Sequence, residues 1–565
     1  MCRPRGELPR YHDNLTRSSY TNQGDQALEC GKMSNNAWTD EYMSNAIRNH
    51  SLLSGLVVVF LLAGALSIAA GTAFGLLNFT DVAYPDSATL LRIGEVVRSG
   101  HIYPDIDQPP YLATLYGPLT YVLLGIPYSL AQTVGINPQL PVRIGIAGAL
   151  CICVLFVFLI SRRLYDSRPI AWLCALFALS ALPLADWSIQ IRGDFLALGF
   201  SLFSVYLFIQ PNGRSRVVGA AICAGLALLV KQTFFAAPIA IVSWLIYSRR
   251  YREAVFWTAG FVLTVVGGYS LVLWREPLML KHLAALRHPV FEFKQAIDIL
   301  WNALSQPVVP FAAIGGVLAL RNCIPERILF LIYCLVAWGV AMLTIWQVGG
   351  NINYFWEPLL TSAVLAGQGL CELQRRANRT PVLVTAMLFL LILQLFSPML
   401  MNNLRYLKQT YRKFDGYHMK KARWESFLSI ISGQRLLSTI PALTLRSTTP
   451  EIPDPYLNSV LELRGRWNPA PVVVRIDAGV YDVIVIGVGH ADEVGGHRGI
   501  RFWNNAMWGA MKKSYKLACV FDEKEVWLPH RGNSDIFSKL SAIGCLPFTE
   551  KGYVSPMIGS QSPLK

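Results

Sequence analysis

Long apolar runs separated by short polar stretches dominate the chain from residue 52 to residue 397. A helix needs about 20 apolar residues to cross the hydrocarbon core of a membrane. The pattern therefore predicts a polytopic α-helical membrane protein with about 11 transmembrane helices. The predicted spans are residues 52–77, 142–161, 169–187, 195–210, 217–232, 234–248, 254–274, 306–320, 328–346, 355–371 and 380–397.

The apolar run 116–134 is interpreted as an interfacial or re-entrant helix, because it contains Pro118 and Pro127 and has polar residues at both ends. With this run outside the count and the N-terminus inside, all basic clusters face the cytoplasm, as the positive-inside rule requires. The clusters are Arg162, Arg163 and Arg168; Arg214 and Arg216; Arg249, Arg250 and Arg252; Arg321 and Arg327; and Arg375, Arg376 and Arg379. If residues 116–134 crossed the membrane, every later cluster would face outside.

This topology places four polar stretches together on the extracytoplasmic face, where the loop 275–305 joins them. The stretches are Asp81 to Pro118, within the first extracytoplasmic loop 78–118; Asp186 to Asp194; Lys231-Gln232-Thr233; and Gly349 to Tyr354. The chemistry of the protein is predicted to lie on this face.

The pattern changes towards both ends of the chain. Residues 1–50 are polar and mixed in charge, which predicts a disordered cytoplasmic tail. After residue 400, charges, prolines and short β-like runs predict a small extracytoplasmic α/β domain over residues 401–565. Within it, residues 471–487 are predicted as strand, turn and strand, residues 517–529 as a hairpin, and residues 501–516 as a helix.

Composition agrees with a membrane protein. Of the 565 residues, 53% are hydrophobic and 15% are charged, whereas about a quarter of the residues of soluble domains are charged. The net charge of +15 comes from the loop clusters, so no nucleic-acid partner is predicted. We predict a multi-pass protein of the plasma membrane, in particular of a bacterial inner membrane.

The cysteines and histidines do not predict a cofactor. The 11 cysteines are scattered without metal-ligand spacing, and only Cys519 and Cys545 suggest a disulfide to test. The stretch 487–499 contains His490 and His497 among glycines but lacks the strand and Gly-x-Gly-x-x-Gly order of a nucleotide site. Metal binding by these histidines is left as a minor alternative.

Several charged residues lie where predicted spans begin and end. Arg192 and Asp194 lie between two spans, and Lys231 lies between two runs so short that the chain must turn there. A charge at mid-bilayer costs about 2.5 to 3.5 kcal/mol on insertion scales, so such residues usually face a polar cavity and have a function. The alternative is that each side chain extends to the lipid headgroups.

Three polar features of the outer loops have both a functional and a structural interpretation. Asp86 precedes a helical pattern, so it is either a functional carboxylate or a simple cap. Asp105 and Asp107 either hold a divalent cation or are solvated loop residues. The stretch Gly349 to Tyr354, with Asn353, either offers donors to a sugar or phosphate or forms a plain turn.

At these residues the chain resembles the GT-C superfamily of membrane glycosyltransferases, which take a sugar from a polyprenyl-phosphate carrier. It is most similar to the branch that contains protein O-mannosyltransferases and lipid A aminoarabinose transferases. That branch has an acidic residue soon after the first span, followed by a helix, a Gly, a Tyr and a Pro-Pro segment. The matching residues, within roughly 52–400, are Asp86, Gly100, Tyr103, Pro109-Pro110, Tyr116-Gly117-Pro118, Arg162-Arg163-Leu164-Tyr165, Arg192 to Asp194, Lys231-Gln232, and Asn353-Tyr354 to Glu357.

The resemblance implies that residues 51–400 form a GT-C-like catalytic domain and that transfer inverts the sugar. Asp86 would be the base, and Asp194 would orient a cation or the acceptor. Phosphate or sugar ligands are expected among Arg192, Lys231, Arg92, Asn353, Tyr354, Tyr103 and Tyr116. The chain departs from the family at Ser87, where Glu is common, and at Gln108, where Lys is common, so another cation would have to contact the phosphate.

The implied partners are a lipid-linked sugar donor, the bilayer, and a glycan, lipid or protein acceptor, with no cofactor. Because a phosphate leaves as a stable anion, one base and one or two cations suffice for the reaction. Two other functions fit the same pattern less well. A transporter or flippase of lipid-linked glycans predicts charges at mid-membrane rather than at one face, and a glycan polymerase or ligase would use similar chemistry.

Overall fold

The computed structural model describes most of the chain between residues 86 and 547. The described residues are 86–180, 187–211, 213–285, 293–306, 308–347, 350–377, 417–445, 447–487, 502–531 and 534–547, with residue 408 and separate positions between 55 and 76. The predicted tail 1–50, the predicted span 380–397 and the stretch that contains His490 and His497 lie outside the described residues.

The first part of the chain is helical, as the apolar runs predicted. Its helices are α1 Asp86–Ser99, α2 Pro118–Val134, α3 Gln139–Tyr165, α4 Arg168–Ser180, α5 Asp194–Phe208, α6 Arg214–Val230, α7 Ala236–Tyr247, α8 Tyr251–Arg275, α9 Met279–Ala285, α10 Phe293–Leu304, α11 Val308–Asn322, α12 Pro325–Thr344 and α13 Trp356–Ala377. Short 3-10 turns at Trp187–Ile189 and Ile352–Phe355 precede α5 and α13.

Within the described part of the chain, three helices are long and apolar enough to cross a membrane: α3, α8 and α12. A fourth span results if α10 and α11, which bend by 67° at their junction, are counted together. The other described apolar runs form shorter helices, such as α4, α5 and α7. Polar residues and turns end these helices before they reach about 20 residues. For this reason the number of described helices that are long enough to span a membrane is smaller than the predicted number of about 11.

Exposed apolar side chains cover parts of the helical surface. Helix α8 is exposed along most of its length, with Phe256 72% and Leu263 75% exposed. On α2, Val122, Ile126, Leu130 and Val134 recur every four residues and are all exposed. Because residues four apart share one helix face, α2 has an apolar stripe of the kind that an interfacial helix needs.

The C-terminal part contains a five-stranded mixed sheet flanked by helices. The elements are α14 Tyr417–Ile431, β1 Leu436–Ser438, α15 Pro441–Thr444, α16 Pro455–Leu463, α17 Ala470–Asp477, β2 Val483–Gly487, α18 Asn505–Ser514, β3 Tyr515–Phe521, β4 Lys524–Pro529, α19 Ser534–Ala542 and β5 Leu546–Pro547. The strand order is β1-β2-β4-β3-β5, with β1 and β2 parallel and the other neighbours antiparallel.

Three predictions about this region are confirmed and one is wrong. The helix predicted at residues 501–516 is α18, which ends at Ser514 where β3 follows. β3 and β4 form the predicted hairpin, and Cys519 and Cys545 are joined by a disulfide. Residues 471–487 were predicted as strand, turn and strand, but the first half is helix α17 and only β2 is a strand. Pro469 and Pro471 lie at the start of α17, where proline is tolerated, and tertiary packing of Val472 and Ile476 overrides the β propensity of the valines.

The loop between α1 and α2, called the first loop below, shares one hydrophobic cluster with the C-terminal part. Ile106, Tyr111 and Ala113 of the loop pack among side chains of the C-terminal part, and the ring of Tyr111 meets the edge of Trp467 with centroids 6.2 Å apart. The loop therefore has the C-terminal part as one of its packing partners.

Candidate functional site

A buried ion pair joins the ends of two helices at the centre of the site. Asp194 is the first residue of α5, and Lys231 follows the last residue of α6. The Lys231 ammonium donates to Asp194 Oδ1, and the Asn353 amide donates to the same oxygen at 2.8 Å. The chain thus brings three predicted site residues into direct contact, although 159 positions separate Asp194 from Asn353.

Aromatic rings flank the two cations of this group. The Lys231 ammonium lies 5.0 Å from the ring centroid of Tyr354, and the Arg192 guanidinium lies 4.7 Å from that of Trp187. Trp187 in turn meets the edge of Trp356 at 5.4 Å. A cation over an aromatic face is attracted by the ring quadrupole, so the two rings help to hold these cations in position.

Asp86 lies at the start of α1, fully buried, and its two oxygens face different partners. Oδ1 accepts a hydrogen bond from the Ile191 N–H at 3.0 Å, and Oδ2 lies 3.5 Å from a terminal nitrogen of Arg143. Since Ile191 precedes Arg192, Asp86 is tied to the chain segment that carries Arg192 and Asp194.

Tyr116 connects the first loop to this group. Its phenol is close enough to interact electrostatically with Arg192, Asp194 and Asp86. The next residue, Gly117, donates its N–H to the carbonyl of Val230 at 2.9 Å, directly before Lys231. A Cβ on Gly117 would lie 2.1 Å from the Leu229 carbonyl oxygen, so only glycine permits this approach.

A small cavity of about 20 Å³ borders Lys231, Asn353, Tyr354 and Glu357. A space of that size holds about one water molecule. Glu357 accepts hydrogen bonds from Ser201 at 2.6 Å and from Tyr333 at 2.7 Å. The sequence resemblance extended to Glu357, but its hydroxyl partners come from distant helices and were not predicted.

Two other predicted residues lie in the first loop and have a partner in α9. Asp105 and Asp107 both accept hydrogen bonds from the Lys281 ammonium, at 2.5 and 2.6 Å. The hydrogen bond from Lys281 lowers the pKa of Asp105. The ammonium group of Lys281 thus lies between the two carboxylates, at the position where the alternative interpretation would place a metal ion. Among the residues that the structure describes, no group of three or more His, Cys, Asp or Glu side chains could hold a metal ion.

The remaining two predicted residues stabilise the path of the loop. The Arg92 guanidinium donates to Glu95 and to the Leu112 carbonyl, each at 2.5 Å. The ring of Tyr103 meets the edge of His282, with centroids 5.4 Å apart. These contacts do not join Arg92 or Tyr103 to the group around Asp194.

His282 connects two separate points of the same loop. Its Nδ1 accepts from the Thr114 N–H at 2.9 Å, and its Nε2 lies 2.7 Å from the Pro104 carbonyl. Burial lowers the pKa of His282 to about 4, so the ring is neutral near pH 7 and donates from Nε2 to that carbonyl.

Helix α16 of the C-terminal part also approaches the site. Asn458 donates to the Tyr111 carbonyl at 2.8 Å, and the Ile452 N–H donates to the Pro110 carbonyl at 3.0 Å. Asp454, the N-cap of α16, lies close enough to Arg192 to interact electrostatically. Burial raises the pKa of Asp454 to about 6.

Arg143 is the main residue that the sequence interpretation missed. It lies within the predicted span 142–161, is fully buried, and faces Asp86. An ionisable residue inside an apolar run is itself a functional signal, so the sequence contained the clue. The partner was not readable, because residues 86 and 143 belong to different elements.

The arrangement provides a carboxylate, two cations and hydroxyl or amide donors within one region. Such a set can accept a proton and stabilise an anionic leaving group without a metal ion. The group forms where α1, α5, α6 and α13 begin or end, together with the segment at residues 111–117. The ends of helices are where a membrane protein meets water.

Two comparisons with known proteins give matches. One match covers part of the chain, and the other covers most of it. The family described as dolichyl-phosphate-mannose-protein mannosyltransferase matches residues 121–274. No curated protein matches the chain. The structure is similar to that of ArnT from Cupriavidus metallidurans in the apo state, with a TM-score of 0.53 and 13% identity, over 84% of this chain and 98% of that chain.

Weaker similarity links the chain to the oligosaccharyltransferase of Archaeoglobus fulgidus. The apo form gives a TM-score of 0.43 at 14% identity, over 62% of this chain and 55% of that chain. AglB from the same organism, in complex with an inhibitory peptide and a dolichol-phosphate, gives a TM-score of 0.42 at 13% identity. The match covers 61% of this chain and 56% of that chain. Residues 121–274 thus match a mannosyltransferase family, and the fold of the chain is similar to that of ArnT.

Proposed function

We propose that the protein transfers a sugar from a polyprenyl-phosphate donor to an acceptor hydroxyl on the extracytoplasmic face of the membrane, with inversion at the anomeric carbon. The acceptor oxygen attacks that carbon, the bond from the carbon to the phosphate oxygen breaks, and the lipid phosphate leaves with the electron pair. The acceptor proton passes to Asp86. The matched family and ArnT support this reaction class.

The single observation that carries the proposal is that Asp86 is hydrogen-bonded to Ile191, next to Arg192 in the segment whose Asp194 pairs with Lys231. Arg192 and Lys231 supply positive charge for the leaving phosphate, which needs electrostatic support rather than a proton. Asp194 holds Lys231 in place together with Asn353. Tyr116 and Tyr354 are proposed to contact the donor through their hydroxyl groups.

A terminal nitrogen of Arg143 lies 3.5 Å from Asp86 Oδ2. In an inverting transfer the acceptor proton becomes acidic only as the new bond forms, so a carboxylate can accept it late in the reaction. The role of Arg143 in this proposal is to orient the Asp86 carboxylate.

The test is complementation of a deletion strain with Asp86→Asn, which keeps the size of the side chain and removes its charge. Envelope glycans and glycoproteins are compared by mass spectrometry, and membrane levels of the variant by immunoblot. We expect no modified product at wild-type protein levels. Asp166→Asn is the matched control, because that aspartate is 95% exposed and pairs only with Arg162 at the end of α3. Full modification by Asp86→Asn would remove Asp86 from the role of base.

A further inference from the structure

A cavity of about 490 Å³ lies between α1, α2, the start of α3 and the C-terminal part. Its volume is within the range of roughly 300 to 1,000 Å³ that is usual for ligand sites. It is separate from the ion-pair group, since Asp194, Lys231 and Arg192 do not line it. No role has been assigned to this cavity so far.

One side of the cavity is rich in neutral hydrogen-bonding groups. Gln132, Asn137 and Gln139 contribute amides, and Tyr128 contributes a phenol. The phenol has room because residue 94 is glycine, where a Cβ would lie 2.5 Å from the Tyr128 hydroxyl oxygen. Amides and hydroxyls both donate and accept hydrogen bonds, which suits a ligand with many hydroxyl groups.

The opposite side, from the C-terminal part, is mostly apolar. Trp424 and Leu428 of α14 line it, and Leu443 and Leu445 adjoin them. An indole next to amide side chains can pack against the C–H face of a sugar ring while the amides bind its hydroxyls. The described residues that line the cavity include no carboxylate and one cation, Arg98, so its chemistry favours a neutral ligand over a metal ion or a strongly cationic one.

The backbone around the cavity is mainly helical, which argues against a peptide ligand. An extended peptide binds by adding a strand to the free edge of a sheet. Here α1, α2, α3 and α14 provide most of the lining, and the backbone groups of a helix are bonded within the helix. Recognition in this cavity must therefore come from side chains.

The position of the cavity relates it to the proposed reaction. Ser87 lines the cavity and directly follows Asp86, and consecutive Cα atoms are about 3.8 Å apart. Ser87 and Asp86 both belong to the first turn of α1 and are buried, so a ligand in the cavity lies one residue away from the proposed base.

We propose that this cavity binds a neutral saccharide and that this saccharide is the acceptor of the transfer, an inference that rests on the proposed function. The amides of Gln132 and Asn137 bind its hydroxyl groups, and Trp424 packs against a ring. The C-terminal part thereby contributes one side of the acceptor site.

The test uses the purified full-length protein and the double variant Gln132→Ala with Asn137→Ala. Both side chains are exposed, so their removal leaves no cavity in the core. Binding of mannotriose, maltotriose and chitotriose is measured by native mass spectrometry, and binding of undecaprenyl phosphate is measured in parallel. We expect at least one trisaccharide to bind the wild type and to bind the variant about tenfold more weakly, as the loss of two hydrogen bonds predicts. Undecaprenyl phosphate binding should change less than twofold.

The matched control is Asn302→Ala with Gln306→Ala, an amide pair at the end of α10 that does not line the cavity. Its saccharide binding should equal that of the wild type. The inference is overturned if none of the three trisaccharides binds, if binding survives the cavity variant, or if the product in cells is a modified protein rather than a glycan. If instead Asp86→Asn still modifies glycans while saccharide binding follows the cavity, the assigned base fails and the saccharide site stands.

Discussion

Asp86 and Arg143 form an ion pair in a place where neither side chain reaches solvent. Removing two charges from water is costly, and their mutual attraction compensates only while both are present. Losing one partner leaves an uncompensated buried charge, which typically costs about 3 to 5 kcal/mol. The pair therefore links the stability of the protein to the residue that is proposed to act as base.

At the residue scale, we predict that Arg143→Met lowers thermal stability in detergent by an amount equivalent to about 3 kcal/mol, because Asp86 loses its cation. The double variant Arg143→Met with Asp86→Asn should recover most of that loss, since it buries no charge. Arg143→Lys serves as the control that retains the charge. Equal unfolding temperatures for Arg143→Met and the wild type, measured by intrinsic fluorescence, would contradict the pairing.

Helix α16 and the first loop act as one unit at the scale of elements. Asn458 and the Ile452 N–H bind the carbonyls of Tyr111 and Pro110, and the loop then continues to Tyr116 and Gly117. The shared hydrophobic cluster around Tyr111 reinforces these bonds. The position of Tyr116 beside the charged group therefore depends on a helix that is distant in the sequence. Asn458 of that helix lies 347 positions after Tyr111.

We predict that Asn458→Leu speeds hydrogen exchange across residues 105–113 about tenfold and lowers turnover, because the buried Tyr111 carbonyl loses its donor. The matched control is Asn504→Leu. Asn504 caps α18 and donates to Glu462 at 2.6 Å, wholly within the C-terminal part. A similar loss of activity in both variants would show that only the stability of the C-terminal part matters, contrary to the prediction.

At the scale of the whole molecule, the C-terminal part contains the Cys519–Cys545 disulfide. Disulfides persist in oxidising compartments and are rare in the cytosol. The extracytoplasmic position that the sequence predicts for the C-terminal part therefore stays a prediction, and the state of this bond in cells can test it.

At this scale, we predict that Cys519 and Cys545 are oxidised in intact cells. Alkylation before and after reduction, followed by peptide mass spectrometry, measures the fraction of each thiol. The double variant Cys519→Ser with Cys545→Ser should lose about 3 kcal/mol of stability, as expected for a closed loop of this length. Full alkylation of both thiols without a reductant would place the C-terminal part in the cytoplasm.

Periodicity and charge were enough to predict the helical elements, the β3–β4 hairpin and the residues around Asp194. Each of these signals is local, or depends on the side of the membrane that a residue faces. The Arg143 partner of Asp86, the hydroxyls around Glu357 and the contact of Asn458 with Tyr111 were not predictable, because they depend on how distant elements pack. The helix at Ala470–Asp477 was misassigned because β-branched residues outnumbered helix signals.

The close approach of Gly117 to Leu229 has a consequence for motion. The two backbones are in direct contact and are joined by a hydrogen bond. The loop that carries Tyr116 and the helix end that carries Lys231 therefore cannot shift separately. Admission of a bulky lipid-linked substrate must therefore come from a coordinated displacement of both, or from movement of the opposite side, rather than from a hinged flap formed by the loop alone.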